Sequence, residues 1–411
     1  MRRQCVITGA GIVSPLGIGL EATRAALREG RGGIAPIRAF EAQGFPVSCA
    51  GEVPGGGLPT DHRRQEAMAR MALAEAFATA GLDPQDGPAD PRRAVSFAVG
   101  KPTLDLELLA RQRARWADTS DPTEVLTRLP ELERQRAAYD PSAVLARLGQ
   151  HSRAAGPHYA SYTACASGND AIGLGKRLIE RDEADLVIAG ATDAQVHPLS
   201  LLEFELLSAL SHEPAATACR PFDRERTGFV VGEGAAVVIL EEIGHARRRG
   251  AAPLAYLAGY GSSLDCYGLT KCHPQGRGAA LAIRGALADA GLAPADVDYL
   301  NAHGTGTVLN DQAEAAAVHQ VWGGDVAQLP VSSTKAMTGH LLTAASAVEA
   351  VITLLCLQDG LMPVNLNYRH PDPDCALNIV ADEPRHAPLR VAMSNGFGFG
   401  GQNSSLILRL D

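Results

Sequence analysis

CVITGAGIVS at Cys5–Ser14 and AYLAGYGSSL at Ala255–Leu264 read as two copies of one pattern, a buried strand running into a Gly-x-Gly turn. A pattern repeated near the start of each half points to internal duplication. Outward from the first copy, helical patterns fall at Leu20–Arg28, Glu66–Ala80 and Ala171–Glu180. Strand-like runs fall at Ala94–Ala98, Leu186–Ala189 (ending at Gly190) and Ala235–Glu241. The second copy opens a similar series: strand Leu254–Tyr260, helix Ala279–Ala290, strand Tyr299–Ala302 and the long apolar helix Ala345–Leu357. Strands at Arg390–Ser394 and Ser404–Leu410 close the chain. Short apolar strands alternating with helices imply an α/β fold with buried sheets. No low-complexity linker separates the halves, so residues 1–252 and 253–411 are expected to pack as one body.

Composition agrees. The 411 residues are 46% hydrophobic and 20% charged, as in a globular protein with a large core. The formal charge of −9 argues against a general nucleic-acid binder. The eight cysteines form no CxxC pair and no Cys/His cluster with metal-site spacing, so neither a disulfide framework nor a metal site is expected, and a reducing cytoplasm fits. The opening MRRQCVITGAGIVSPLG superficially resembles a secretory signal, but Gly9, Gly11 and Pro15 break its apolar stretch. No run approaches the roughly 20 apolar residues that span a membrane.

Thr103–Gly156 stands apart, rich in Arg, Leu and Glu, with helical periodicity at Leu104–Ala114, Val125–Arg136 and Ser142–Leu148. It reads as a helical insertion with charges to solvent, or as a dimer-contact or docking element that also shapes a substrate pocket.

Four segments carry chemistry. In Ser161–Gly168, SYTACASG, a cysteine sits among small residues where a helix begins. A helix N-terminus offers free N–H groups and partial positive charge, worth ~1 kcal/mol towards a thiolate. In Asn301–Thr307, NAHGTGT, a strand ends at a histidine and a small-residue turn that lets a ligand approach closely. In Ser332–His340, SSTKAMTGH, a cation, hydroxyls and an imidazole precede the apolar helix that holds Glu349. A carboxylate in such a helix is costly unless paired, and Lys335 is the candidate partner. In Asn395–Gly401, NGFGFGG, four glycines surround two aromatics, as in a gate with a backbone N–H free for an oxyanion.

Together and in this order, these segments resemble the β-ketoacyl synthase family, most closely the elongating ketosynthases of type II fatty acid and polyketide systems. TACASG at Thr163–Gly168, RPFDRERTGFVVGEGAAVVILEE at Arg220–Glu242, NAHGTGT, SSTKAMTGH and NGFGFGGQN at Asn395–Asn403 carry the resemblance. It implies a thiolase-like fold, with duplicated halves in an α-β-α-β-α five-layer arrangement. It implies that Cys165 accepts the acyl chain, and that His303 and His340 stabilise the enolate formed when a malonyl thioester decarboxylates. Backbone N–H groups of Cys165 and Phe399 would form the oxyanion hole. Lys335 and Glu349 would be a supporting ion pair. Thr305 and Thr307, with Thr270 and Gly398, would contact the phosphopantetheine arm. No metal or cofactor of its own is implied, because substrates arrive on the phosphopantetheine of an acyl carrier protein. A homodimer is implied, or a heterodimer with a chain-length-factor-like subunit.

The resemblance fails across Thr103–Gly156, and the strand-end Val99-Gly100-Lys101-Pro102 lacks the expected glycine-rich run. Gly396 and Gln402 replace a serine and a threonine of the common pattern. These departures lean towards type II polyketide, polyene or specialised fatty acid biosynthesis. The alternatives are a non-elongating chain-length-factor-like partner and a CoA-dependent thiolase-like acyltransferase. The former usually lacks the cysteine, and the latter uses a second C-terminal cysteine absent from GFGFGG. For docking an acidic carrier protein, the charge pattern offers Arg111, Arg113 and Arg115, or Arg247–Arg249.

Overall fold

The computed structural model describes residues 3–55, 57–102, 110, 123 and 140–411. Its main elements in the first half are β1 (Cys5–Ser14), α1 (Arg64–Thr79), β2 (Arg93–Val99), α2 (Pro141–His151), β3 (His158–Ala160), α3 (Ser167–Glu180), β4 (Leu186–Ala194) and β5 (Glu233–Glu242). The second half contains β6 (Ala255–Leu264), α4 (Arg277–Ala290), β7 (Tyr299–Asn301), α5 (Val308–Trp322), β8 (Pro330–Ser332), α6 (Ala345–Asp359), β9 (Asn378–Ile379), β10 (Val391–Gly398) and β11 (Gln402–Arg409).

The hydrogen-bonded strand order is β9-β8-β7-β10-β11-β6-β1-β5-β4-β2-β3. The first half therefore runs β3-β2-β4-β5-β1 and the second β8-β7-β10-β11-β6, the same order of strands in each. The two half-sheets meet where β1 and β6 pair over only Val6↔Tyr256 and Ile7↔Ala255. In both halves the central strands are parallel and the last two antiparallel. Even an irregularity recurs: the β1–β5 ladder skips Thr8, and the β6–β11 ladder skips Ala258.

Helices α3 and α6 pack together between the two half-sheets, while α1 covers β1 and β5 and α4 covers β6 and β11 from outside. This is the five-layer α-β-α-β-α arrangement. In α6 every residue from Ala345 to Leu357 is buried, as its apolar sequence requires. Among the described residues, Leu342–Asp359 is the one stretch long and apolar enough to cross a membrane; 89% of it is buried inside this core.

The Gly-x-Gly pairs are not turns, as the sequence reading had them. Gly9 and Gly11 lie inside β1, and Gly259 and Gly261 lie inside β6. A Cβ at Gly9 or Gly11 would run into the carbonyl oxygens of Ala76 and Ala72 on α1. At Gly259 or Gly261 it would meet those of Ala286 and Ala282 on α4. Each pair opens a groove in a strand, and one face of a small-residue helix sinks into it. Gly11→Val and Gly261→Val are each expected to destabilise the protein by about 3 kcal/mol through overpacking. Denaturant midpoints measure this; an unchanged midpoint would contradict the close approach.

Of the atypical 103–156 stretch, the predicted helix at Ser142–Leu148 lies within α2, where Asp140 accepts from the Ser142 N–H as N-cap. The expectations for Leu104–Ala114, Val125–Arg136 and the arginines 111, 113 and 115 lie outside the described residues.

Candidate active site

Cys165 lies on a 3₁₀ turn, Ala164–Ala166, between edge strand β3 and buried helix α3. Ala164 has φ 49°, a left-handed conformation unusual for a residue with a side chain. Several bonds hold the turn. Ser167 Oγ accepts from the Thr163 N–H and donates to the Ala164 carbonyl. Thr163 Oγ1 donates to Asp170 Oδ2 (2.6 Å), whose other oxygen accepts from Tyr260 O–H (2.8 Å). Close packing seats the helix start: a Cβ at Gly168 would run into the backbone nitrogen of Ala347 on α6.

His340 Nε2 stands 3.1 Å from Cys165 Sγ. The His303 ring lies edge-on to the His340 ring, with centroids 5.3 Å apart. Both histidines are buried. Behind them, Lys335 Nζ donates to the His303 carbonyl (2.6 Å), meets His303 Nδ1 at 3.2 Å and forms an ion pair with Glu349. Lys335 and Glu349 are buried as well, so each compensates the charge of the other.

The partners assign the ring protons. Lys335 can only donate, so His303 Nδ1 is the acceptor and its Nε2 carries hydrogen. The Leu342 N–H points at His340 Nδ1 at 3.4 Å, which leaves the hydrogen of His340 on Nε2, facing the sulfur. Burial, then the Lys335 charge, holds both imidazoles well below the usual histidine range, so both are neutral donors near neutral pH. Burial pushes the Cys165 thiol up to about 12, with the Lys335 charge and the Phe399 backbone N–H opposing it. The sequence-based expectation of a thiolate favoured by the helix start is thus overridden. The dipole offers ~1 kcal/mol, and desolvation of a buried anion costs more.

A histidine whose pKa is lowered by folding binds fewer protons folded than unfolded. The two histidines therefore add stability above the unfolded value of 6.5, and this is lost as pH falls below it. Relative to His303→Asn, the wild type should lose melting temperature as pH falls from 7 to 5. An equal slope would remove His303 from this linkage.

A cleft of 360 Å³ opens over these groups. Of the residues singled out from sequence, Cys165, His303, His340, Thr270, Thr305, Thr307, Gly398 and Phe399 all line it. Lys335 and Glu349 sit behind its wall. The Thr305 and Thr307 hydroxyls are 2.9 Å apart. Gly398 acts by what it lacks: a Cβ there would stand 2.9 Å from the Cys165 nitrogen. Gly396 is similar, since a Cβ would stand 2.8 Å from Ser346 Cβ and 3.2 Å from Asn169 Nδ2.

Asp311, which follows the NAHGTGT motif, was singled out from sequence without a role, and Glu314 and Phe229 were not singled out at all. Glu314 accepts from the His303 and Gly304 N–H groups, and Asp311 Oδ1 accepts from those of Thr305 and Gly306. The two carboxylates are three residues apart on α5, so they share the face turned to the His303–Thr307 turn. That spacing after NAHGTGT was the available signal. Phe229, whose ring packs edge-on to His340 at 5.2 Å, carried none.

The Arg247–Arg249 cluster is not at the cleft. Val231 bridges His340 just before β5 begins, and the cluster follows the far end of β5, about 30 Å away at the usual strand rise. Arg249 is also bound to Glu241 and to the Ala80 carbonyl.

Known proteins with this arrangement agree. Residues 2–246 match the profile described as the β-ketoacyl synthase N-terminal domain, and residues 254–369 match the C-terminal domain. The chain belongs to the β-ketoacyl synthase family. It is 36% identical over 421 residues to a 3-oxoacyl-[acyl-carrier-protein] synthase 2 of Coxiella burnetii, covering 99% of this chain and 98% of that one. A Staphylococcus aureus (strain N315) protein of the same name is 34% identical with the same coverage. Among solved structures, a chain from a type II PKS acyl-carrier protein in complex with its ketosynthase bound to the hexaketide superposes with TM-score 0.89. Its identity is 31%, covering 100% of both chains. A chain of the ishigamide ketosynthase/chain length factor gives TM-score 0.86 at 33% identity, again over 100% of both. The fold is that of the thiolase-like ketosynthases.

Proposed function

We propose that this chain is a β-ketoacyl-[acyl carrier protein] synthase that loads an acyl group on Cys165 and extends it by decarboxylative Claisen condensation. The observation that carries this is the thiol 3.1 Å from the Nε2–H of one neutral imidazole, with a second imidazole beside it in the same cleft. In the first step Cys165 sulfur attacks the carrier-bound thioester. The Cys165 proton leaves with the departing phosphopantetheine thiol. The N–H groups of Cys165 and Phe399 receive the oxyanion; one such donor is worth roughly 3 kcal/mol. In the second step malonyl-carrier protein loses carbon dioxide. The enolate oxygen accepts from Nε2–H of His303 and His340, and its carbon attacks the acyl-Cys165 carbonyl. The Cys165 thiolate leaves and takes up one proton, restoring the thiol.

Thr305, Thr307, Thr270 and the space beside Gly398 would hold the phosphopantetheine arm, and Lys335 with Glu349 would orient His303. The work divides between residues 1–252, which supply the nucleophile, and 253–411, which supply both histidines and the GFGFGG turn. The reaction so written uses no redox group and no metal. We place the protein in the cytoplasm, where its eight free cysteines, six of them buried, stay reduced. An acyl carrier protein as partner is supported by the relatives' names. A second subunit, a further copy or a chain-length-factor-like chain, is supported by the ishigamide ketosynthase/chain length factor structure; of the type II polyketide, polyene or specialised fatty acid settings, the first is supported by the type II PKS ketosynthase.

The test is intact mass spectrometry after incubation with acyl-loaded carrier protein. One acyl adduct is expected, and malonyl-carrier protein should discharge it as a β-ketoacyl product. A protein that stays unmodified across chain lengths, with a partner subunit supplied, would contradict the reading.

A further inference from the structure

The duplication extends into the active site. Aligning Gly9 with Gly259 matches their ladder partners, Ile239 and Ile407. Those in turn pair with Ile188 on β4 and Met393 on β10. Five residues further along, Asp193 corresponds to Gly398 and Ala194 to Phe399. The helix starts correspond as well. Ala164 has φ 49° three residues before α3, and Leu342 has φ 50° three residues before α6. Cys165 therefore corresponds to Thr343.

The oxyanion donors proposed above, the N–H groups of Cys165 and Phe399, thus have counterparts in Thr343 and Ala194. Both counterparts are taken by one carboxylate. Thr343 N–H donates to Asp193 Oδ2 at 3.0 Å, and Ala194 N–H donates to Asp193 Oδ1 at 2.9 Å. Gln195 Nε2 adds a bond to Oδ1 at 2.9 Å. Asp193 is buried, and Gly100 packs so closely that a Cβ there would run into its carboxylate. In one half glycine leaves no carboxylate at the two N–H groups, and that of Phe399 faces the Cys165 sulfur; in the other an aspartate fills them. The filled turn begins with the N–H that fixes the His340 tautomer, since Leu342 N donates to His340 Nδ1.

We propose that Asp193 is a positioning residue for condensation: its carboxylate occupies the second, pseudo-symmetric oxyanion hole and so holds the Leu342–Thr343 turn that presents His340 Nε2–H to the malonyl thioester. This rests on the function proposed above, in which His340 serves decarboxylation. Gly100 has a stated role too, as the position whose missing side chain makes room for that carboxylate.

Asp193→Asn keeps the size but replaces one acceptor oxygen by a donor, so one of the two N–H groups loses its partner. In the purified enzyme with acyl- and malonyl-carrier proteins, kcat for malonyl decarboxylation should fall about tenfold with KM unchanged, as for one lost positioning bond. Acyl loading of Cys165 should stay within about twofold of wild type. Gly100→Ala, which presses on the same carboxylate with Asp193 in place, should show the same split. Unchanged decarboxylation, or equal loss of both steps in both variants, overturns the role of Asp193 while the function stands. A wild type that neither loads nor decarboxylates overturns the function and this role together.

Discussion

Cys165→Ala is expected to take up no acyl group at all, whereas His303→Ala and His340→Ala should still load yet lose condensation by about 10²–10³-fold, the scale for removing one donor from a developing oxyanion. The reasoning is geometric. In the function proposed above, acyl transfer uses the sulfur and the two backbone donors of Cys165 and Phe399. Decarboxylation, as proposed, uses the two Nε2–H groups beside the thiol, with His340 Nε2 3.1 Å from the sulfur. Intact mass reads loading, and release of carbon dioxide from malonyl-carrier protein reads the second step. If the histidine variants lose both steps equally, the division of labour is wrong.

The second large effect concerns Lys335 and Glu349. Lys335→Met leaves Glu349 buried without its cation, and breaking such a pair costs about 3–5 kcal/mol. Burial already pushes the Glu349 carboxyl up to about 7 against the pull of Lys335. Without the lysine, Glu349 is expected to fold protonated. Relative to the wild type, the variant should therefore regain stability as pH falls from 8 to 5, because the wild-type carboxyl gains only below about 7. It also removes the donor that sets the His303 tautomer, so decarboxylation should fall with stability. The double variant Lys335→Met/Glu349→Leu should recover much of the stability but none of the decarboxylation. Urea denaturation across this pH range separates the two effects. Parallel losses in stability for the single and double variants would show that the pair is not a compensated unit.

Most of the fold was legible because its signals are local. The alternation of short apolar strands and helices, and the all-buried α6, follow from composition along the chain. Strands such as β4 and β10 ran several residues past their predicted ends, because their continuation through glycine and polar residues is imposed by neighbouring strands. The misread Gly-x-Gly pairs are the same lesson. A glycine looks like a turn in isolation, and only the helix lying across it shows that it makes room. The site residues were found through their motifs, and all the cleft-facing ones converge. Asp193 and Glu314 were missed, since a carboxylate that caps backbone N–H groups leaves no mark in the sequence until those groups are near it.

The Gly-x-Gly copies at Cys5–Ser14 and Ala255–Leu264 pointed to an α/β duplication, and the order of four short motifs, through the family they resemble, singled out Cys165, His303 and His340. Those facts depend on residue type and spacing, which the chain carries locally. Only the tertiary structure decided the state of the groups: a thiol that burial keeps protonated, two imidazoles with hydrogen on Nε2, and the Thr343 and Ala194 N–H groups both taken by Asp193. Protonation, tautomer and occupancy depend on what lies within a few ångströms, and here that proximity joins residues from opposite halves of the chain.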